Sequence, residues 1–272
     1  MSMSRDVRNP MAEWREAVLH SPAYLSLLNG EDERFWEQHG ETYIRNRSSG
    51  EHVRRVKSWL AHQLPPSASV IEIGPGPGIF TRFLSEHCAS VTAVEPSPAN
   101  VARLRQELTA CDNLSVVQEK WEKAALAPHD AVFIAGTLYV FPDIQATLLR
   151  MLCHAYSKVL LVTMDEEQFL EKEAAAALGL EAPASPQLSG LLTEVLNSLE
   201  LPFSCEQFSE ETKYLYPHLE LVVDLWKGSL GLREEDCSEL EQFFRKKGLY
   251  AKDGTAVKMP RKFTTYLLEI VI

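Results

Sequence analysis

The stretch "SVIEIGPGPGIFTRFL", residues 69–84, joins an apolar run to three glycines at alternate positions and then to an amphipathic segment. This order predicts a buried strand, a tight loop and the first turns of a helix. Glycines let a ligand approach the backbone closely, and amide groups at a helix N-terminus carry partial positive charge. A carboxylate, Glu72, stands within the apolar run. The segment therefore predicts a ligand-binding loop with a negative charge directly before it.

The same alternation continues on the C-terminal side of this loop. Further short apolar runs, separated by amphipathic segments, are "SVTAVE" (90–95), "LSVVQE" (114–119), "DAVFIAG" (130–136) and "KVLLVTM" (158–164). Continuous apolar strands separated by helices are typical of a parallel sheet covered on both faces. We expect a doubly wound α/β domain whose ligand lies at the carboxyl ends of the strands.

The charges and spacing around the glycines discriminate between ligands. A dinucleotide site is expected to read GxGxxG, whereas Gly74, Gly76 and Gly78 read GxGxG and Ile79 stands where the third glycine would fall. Glu72 would repel a diphosphate but suits an ammonium group. Glu95, at the end of the next strand, stands where a carboxylate can accept hydrogen bonds from ribose hydroxyls. A ligand with ribose at one end and a cationic amino acid at the other is S-adenosylmethionine.

With "EIGPGPG" (72–78), "VTAVEPS" (91–97) and the closing apolar segment "TTYLLEIVI" (264–272), the chain resembles the class I S-adenosylmethionine-dependent methyltransferases. The resemblance implies a mostly parallel seven-stranded sheet. It also implies S-adenosylmethionine as cofactor and S-adenosylhomocysteine as product. The cofactor-binding residues that it implies are Glu72, Gly74, Pro75, Gly76, Gly78, Glu95, Pro96, Lys120, Trp121, Gly136, Thr137 and Leu138. Lys120 departs from the family pattern, which usually has an acidic residue there.

The segment "FWEQHGETYIRN", residues 35–46, resembles the part of some small-molecule methyltransferases that folds over the cofactor. On that resemblance Tyr43 joins the cofactor-binding residues, while Trp36 is interpreted mainly as a packing residue. We expect four regions: a helical N-terminal segment or lid (1–66), a cofactor-binding α/β core (67–165), a helical cap with an edge strand (166–262) and a closing strand (263–272).

Charge and composition favour a small-molecule acceptor. The 272 residues carry 38 acidic and 27 basic side chains, a formal net charge of -11, which repels a phosphate backbone. The Asp/Asn-Pro-Pro-aromatic tetrapeptide of nucleobase amino-group methylation is absent, since "EPSP" (95–98) and "GTLY" (136–139) occupy the corresponding places. No apolar run is long enough to cross a membrane, and the N-terminus lacks an apolar leader, so we expect a cytoplasmic protein. Neither the five cysteines nor the eight histidines show a metal-ligand spacing.

Two other functions share this fold. A nicotinamide-dependent oxidoreductase would require the GxGxxG spacing that Ile79 breaks. A non-catalytic methyltransferase-like subunit would keep the fold and lose cofactor contacts, and Lys120 is a departure in that direction. No catalytic residue is assigned, because the cofactor supplies the reactivity and a base is needed only for a protonated acceptor. Asp165 and Glu166, at the end of the fifth strand, are candidates for a base or for binding a cationic acceptor. The oligomeric state is left open.

Overall fold

The computed structural model describes residues 8–48, 50–181, 187–230, 232–233, 235–250 and 256–272. Within these ranges the strands are β1 (Ser69–Ile73), β2 (Ser90–Val94), β3 (Leu114–Val117), β4 (His129–Ala135), β5 (Ala155–Glu166), β6 (Phe203–Tyr216) and β7 (Val257–Val271). The helices are α1 (Pro10–Leu19), α2 (Pro22–Leu28), α3 (Glu31–Arg47), α4 (Glu51–Gln63), α5 (Thr81–His87), α6 (Pro98–Glu107), α7 (Ile144–Cys153), α8 (Phe169–Ala177), α9 (Leu188–Ser198), α10 (Leu219–Leu230) and α11 (Asp236–Lys246). A loop expected around Pro183–Pro186 and a turn expected at Asp253–Gly254 lie outside the described residues.

The seven strands form one sheet in the order β3-β2-β1-β4-β5-β7-β6. The first five strands pair in parallel, and β7 pairs antiparallel with both β5 and β6. Helices α5, α6 and α7 provide crossover connections that parallel pairing requires. The predicted doubly wound, mostly parallel α/β fold is confirmed. Strand order reverses between β1 and β4, which is where ligands bind in folds of this kind.

Both faces of the sheet are covered, because successive strand residues point to opposite sides. Ile71 and Ile73 belong to a buried cluster with Trp14 of α1 and with α7 and α9. Val70 belongs to a second cluster with Val56 of α4. Burying a side chain of this size stabilises the fold by roughly 1.5–3 kcal/mol. The two clusters therefore fix the strand ends at which the glycine loop begins.

The N-terminal helices wrap around the sheet. Each of α1 and α2 begins at a capping side chain followed by proline: Asn9 Oδ1 accepts from the Ala12 amide at 3.3 Å, and Ser21 Oγ accepts from the Tyr24 amide at 3.1 Å. Helices α1 and α4 contribute to opposite faces of the sheet. The connecting helices α2 and α3 therefore pass over the edge formed by the carboxyl ends of the strands.

The last two strands extend beyond the rest of the sheet. Residues 263–271 of β7 pair with β5, whereas residues 257–262 pair with β6 and not with β5. The closing strand thus begins earlier than the expected residue 263, because β6 and β7 continue as a two-stranded ribbon. Side chains of this ribbon form a third buried cluster with α8, α10 and α11, including Tyr214, Trp226 and Phe244. The ribbon is the platform on which the helical cap is built.

Candidate functional site

A cavity of about 420 Å³ lies at the carboxyl ends of β1, β2 and β4, where the strand order reverses. Its floor is formed by the three loops that follow these strands: residues 74–77, 95–97 and 135–137. Its roof is formed by side chains of α2 and α3, among them Trp36 and Tyr43. The cavity therefore lies between the glycine loop and the N-terminal helices that pass over it.

The glycine loop follows β1 directly. Gly74, Gly76 and Gly78 have φ of 60°, 55° and 89°, a left-handed conformation that residues with a Cβ rarely adopt. A Cβ on Gly74 would lie 2.7 Å from Thr137 Cγ2, and one on Gly78 would lie 2.7 Å from Leu104 Cδ2. These two glycines thus permit close packing of the loop against its neighbours. At Gly76 the nearest atom to such a Cβ is on the Trp36 ring, at 3.8 Å.

Glu95 holds two segments of the cavity floor together. Its Oε2 accepts a hydrogen bond from the Gly76 amide at 2.9 Å, and its Oε1 accepts one from the Ser97 amide at 2.9 Å. Ser97 in turn caps α6, its Oγ accepting from the Asn100 amide at 3.2 Å. Burial raises the pKa of Glu95, while these amide hydrogen bonds oppose the increase. The carboxylate lines the cavity and fixes the loop that forms it.

Glu72 lies beneath the glycine loop and does not itself line the cavity. Its side chain is 2% exposed, and its Oε2 has no hydrogen-bond partner among the described residues. Burial raises its pKa to about 8, so the carboxyl carries a proton at neutral pH when no cation is near. A buried carboxyl without a partner is costly, and a cationic group above it would lower that cost.

Helix α3 carries the aromatic part of the roof. The Trp36 ring meets the Phe35 and Tyr43 rings edge to face, with centroids 5.1 Å apart in both pairs. Two contacts hold the helix at its ends: Glu33 Oε1 accepts from the Ala99 amide of α6 at 2.9 Å, and Asn46 exchanges hydrogen bonds with the backbone of Leu215 in β6. The roof is therefore attached to both sides of the sheet.

Most of the predicted cofactor-binding residues lie together. The cavity lining includes Tyr43, Gly74, Pro75, Gly76, Glu95, Pro96, Gly136 and Thr137. Gly78 belongs to the loop but faces Leu104, and neither it nor Glu72 is part of the lining.

The remaining three predicted residues do not reach the cavity. Lys120 is exposed, and Trp121 is 3% exposed within the core, where the Arg150 guanidinium lies 4.8 Å from its ring centroid. Leu138 is buried in the same core cluster. Leu138 does not reach the cavity because it begins the 3-10 turn Leu138–Val140 and points into the core. The next two residues of that turn, Tyr139 and Val140, line the cavity.

Several lining residues were not predicted, or were interpreted differently. Trp36, interpreted mainly as a packing residue, lines the cavity, and so do Phe35 and Asp32 of the same helix. Burial raises the pKa of Asp32. The signal for these residues was the helical spacing of Asp32, Phe35, Trp36 and Tyr43, which places them on one side of α3. Asn100 and Tyr139 also line the cavity, and no sequence pattern indicated them.

The two acidic candidates at the end of β5 have structural partners. Asp165 accepts hydrogen bonds from the Ser189 hydroxyl at 2.9 Å and the Ser189 amide at 3.2 Å, so it holds the start of α9. Glu166 lies 2.7 Å from Arg261 Nη1. Neither carboxylate lines the 420 Å³ cavity. Glu166 instead borders a second cavity of about 270 Å³, which shares Phe35 and Tyr43 with the first.

With the fold and cavity in view, comparisons with known proteins identify the domain. Residues 71–156 match the family model of a methyltransferase domain. The fold is similar to that of a protein from Bacillus halodurans C-125, with a TM-score of 0.54 and 14% identity over 82% of this chain and 99% of that one. The chain carries a class I methyltransferase domain. Domains of this class use S-adenosylmethionine as cofactor.

Two further proteins that are similar to this chain are named for different substrates. Magnesium protoporphyrin IX methyltransferase from Synechocystis PCC 6803, solved with bound SAH, aligns with a TM-score of 0.54 and 15% identity over 68% of this chain and 94% of that one. An rRNA adenine N-6-methyltransferase from Saccharopolyspora erythraea is 29% identical over 109 residues, 40% of this chain and 27% of the relative. The chain thus spans about a quarter of the length of this curated relative.

The described part of the chain, from residue 8 to 272 with its gaps, contains no cluster of histidine, cysteine, aspartate or glutamate that could hold a metal ion. Among the same residues no helix is long and apolar enough to cross a membrane.

Proposed function

We propose that this protein transfers a methyl group from S-adenosylmethionine to a small-molecule acceptor. The observation that carries the proposal is the pair of adjoining cavities: one of about 420 Å³ at the glycine loop and one of about 270 Å³ beside it, with Tyr43 lining both. A cofactor and a compact acceptor can occupy neighbouring cavities in this arrangement, with their reacting groups meeting near Tyr43.

The residues present fit the cofactor. The left-handed glycine at Gly76 leaves open space where a Cβ would project toward Trp36, and Glu95 stands at the adjoining strand end. We infer that Glu95 and Pro96 contact the ribose and adenine, that Gly74 and Gly136 frame the amino acid part, and that the charge of the ammonium group favours ionised Glu72 below. When bound, S-adenosylmethionine supplies a methyl carbon that an acceptor lone pair takes, the C–S electrons remaining on sulfur.

The chain's own contribution is alignment and exclusion of water. Trp36 and Phe35 cover the cavity from α3, and the contacts of Glu33 and Asn46 hold that helix in place. Fixed orientation of two reactants supplies roughly 7–11 kcal/mol in favourable cases. We assign no general base, because an acceptor that is unprotonated at working pH needs none.

A small acceptor is favoured over RNA by charge and by the second cavity. The net charge of -11 repels a phosphate backbone, and the second cavity combines aromatic rings and leucines with polar side chains and charged groups of both signs. The rRNA methyltransferases among the relatives support the competing proposal of a nucleic acid acceptor.

A reducing, cytoplasmic setting is part of the proposal, since all five cysteines are unpaired.

The test is methyl transfer from radiolabelled S-adenosylmethionine into two separate pools, a low-molecular-weight metabolite extract and total RNA. We expect label in the metabolite pool alone, and its loss with the Glu95→Ala variant. Label in RNA would replace the small-molecule proposal with a nucleic acid acceptor. Binding of the cofactor without label in either pool would support the non-catalytic subunit.

A further inference from the structure

The second cavity lies between α3, the β6–β7 ribbon and the cap helix α10. It has a volume of about 270 Å³, and its walls include the rings of Phe35, Tyr43, Tyr214 and Tyr216. Four charged side chains border it: Arg47, Glu166, Glu171 and Arg261. The chemistry of the acceptor depends on which of these charges are already neutralised within the protein.

Arg261 contacts both carboxylates, and its single positive charge offsets one of their two negative charges. Its Nη1 lies 2.7 Å from Glu166 Oε1 and also donates a hydrogen bond to Glu171. The Glu166 and Arg261 side chains are 28% and 10% exposed and Glu171 is 7% exposed, so the three groups form a largely buried cluster. A cationic acceptor at these carboxylates would place a second positive charge beside the buried Arg261 guanidinium, which like-charge repulsion disfavours.

Arg47 has no such partner. Its guanidinium carbon lies 5.3 Å, 5.5 Å and 5.2 Å from the ring centroids of Tyr43, Tyr214 and Phe263. Among the described residues, no acceptor receives a hydrogen bond from Arg47 and no carboxylate forms an ion pair with it. Its charge is felt nearby, because burial and the Arg47 charge together lower the pKa of His52 to about 4. The four charges around the cavity cancel, and Arg47 balances the remaining carboxylate charge from a distance. Its guanidinium is therefore held by rings alone, with its N–H groups not engaged by any described acceptor.

We propose that Arg47 binds a carboxylate of the methyl acceptor, whose remaining part lies against the aromatic walls of the second cavity. The inference rests on the proposed methyltransferase function. A guanidinium offers parallel N–H groups that match the two oxygens of a carboxylate, and three surrounding rings hold it in one place. Tyr43 borders both cavities, so a carboxylate held at Arg47 directs the rest of the acceptor toward the cofactor cavity.

The test uses three probes of one shape: 3-phenylpropanoate, 3-phenylpropanamide and 3-phenylpropylamine. Their binding is measured by titration calorimetry, with and without saturating S-adenosylhomocysteine. We expect the wild-type protein to bind the carboxylate at least tenfold more tightly than the amide or amine. We expect Arg47→Gln to remove this preference and Arg47→Lys to keep part of it. The matched control is Arg55→Gln, because Arg55 also stacks on a ring, Phe208 at 4.1 Å, but lies outside the cavity.

Cofactor affinity separates this inference from the proposed function. Each variant is also titrated with S-adenosylhomocysteine and with 5′-methylthioadenosine, which lacks the amino acid part. Unchanged affinity for both in Arg47→Gln shows an intact fold and supports an acceptor role. A loss for S-adenosylhomocysteine alone would assign Arg47 to the cofactor carboxylate and overturn the inference. Equal binding of the three probes, preference for the amine, or no binding of any probe would also overturn it while leaving the cofactor site unaffected.

Discussion

Glu95 shows how one side chain can serve both structure and ligand binding. Its two oxygens accept the Gly76 and Ser97 amides, and the residue lines the cavity. A carboxylate has about four lone-pair sites, so these two hydrogen bonds do not exhaust its capacity to accept. The hydroxyls of a ribose bound there would donate to a carboxylate whose position is already fixed before the ligand binds. The same hydrogen bonds make the glycine loop dependent on this residue.

Replacing Glu95 by alanine is expected to weaken S-adenosylhomocysteine binding at least tenfold, because hydrogen bonds to a charged group contribute roughly 1.5–3 kcal/mol. Titration calorimetry measures the change. Asp130→Ala is the matched control: Asp130 accepts from the Ser69 amide and hydroxyl, both at 2.7 Å, at the opposite end of β1. Equal affinity in the Glu95→Ala variant and the wild-type protein would refute the ribose assignment.

Glu72 makes stability depend on pH. Burial raises its pKa from the usual 4.5 to about 8, so between these values the unfolded chain ionises and the folded chain does not. The contribution of protonated Glu72 to the free energy of unfolding is complete below pH 4.5 and is lost as the pH rises to 8. We expect Glu72→Gln, which cannot ionise, to gain on the order of 3–5 kcal/mol over wild type between pH 4.5 and pH 8.

Urea denaturation of the Glu72→Gln variant and of the wild-type protein across this pH range, without ligand, measures that difference. Curves of unfolding free energy that run parallel from pH 4.5 to pH 8 would show that Glu72 is ionised in the folded protein. The wild-type chain would then have a partner for this carboxylate.

Prediction from sequence was accurate where local chemistry sets the conformation. The glycines and the strand-end Glu95 could be placed near the cavity, because a parallel sheet brings its carboxyl ends to one edge. Trp121 and Leu138 could not be placed, since the side to which a residue turns after a strand depends on tertiary packing. The lack of a direct partner for Arg47 was equally hidden, because it depends on which side chains α3 and the β6–β7 ribbon bring together.

At the scale of elements, the glycine loop is fitted between β1 and α6. Gly78 has a left-handed φ and packs against Leu104, whereas Gly30, with φ 69°, precedes α3 with nothing within 4 Å of an added Cβ. Comparing alanine substitutions at these two glycines separates the cost of backbone strain, which both share, from the cost of steric overlap, which arises only at Gly78. Left-handed backbone costs a residue with a Cβ roughly 1–2 kcal/mol.

We expect Gly30→Ala to cost about 1–2 kcal/mol of unfolding free energy and Gly78→Ala to cost clearly more, since its Cβ would also overlap Leu104. The Gly78→Ala/Leu104→Ala double variant should be less destabilised than the sum of the two single variants, because the smaller side chain relieves the overlap. Chemical denaturation measures all four. Similar costs at the two glycines, or strict additivity, would contradict the packing described for the loop.

The β6–β7 ribbon and α3 explain why the second cavity was not foreseen. Sequence indicated β6 as a strand and α3 as helical, and the structure has both. The sequence does not indicate how far β6 and β7 continue beyond β5 as a two-stranded ribbon. This extension brings Tyr214 and Arg261 beside α3, where they line the second cavity. The cavity results from the meeting of elements distant in sequence, so no local pattern encodes it.

At the scale of the whole molecule, a strongly acidic protein encloses two adjoining cavities whose walls include aromatic rings. The formal charge of -11 lies on a chain whose helices α2 and α3 cross over the active edge of the sheet. This arrangement suits small ligands that enter between helices, and it disfavours a polyanion approaching from outside. The proposed function requires that the larger cavity bind S-adenosylmethionine.

Titration calorimetry of the wild-type protein with S-adenosylmethionine and S-adenosylhomocysteine, with NAD and NADP as controls, tests that claim most directly. We expect micromolar binding of the first two ligands and no binding of the nicotinamide cofactors. Binding of NAD or NADP alone, or no binding of any of the four ligands, would contradict it.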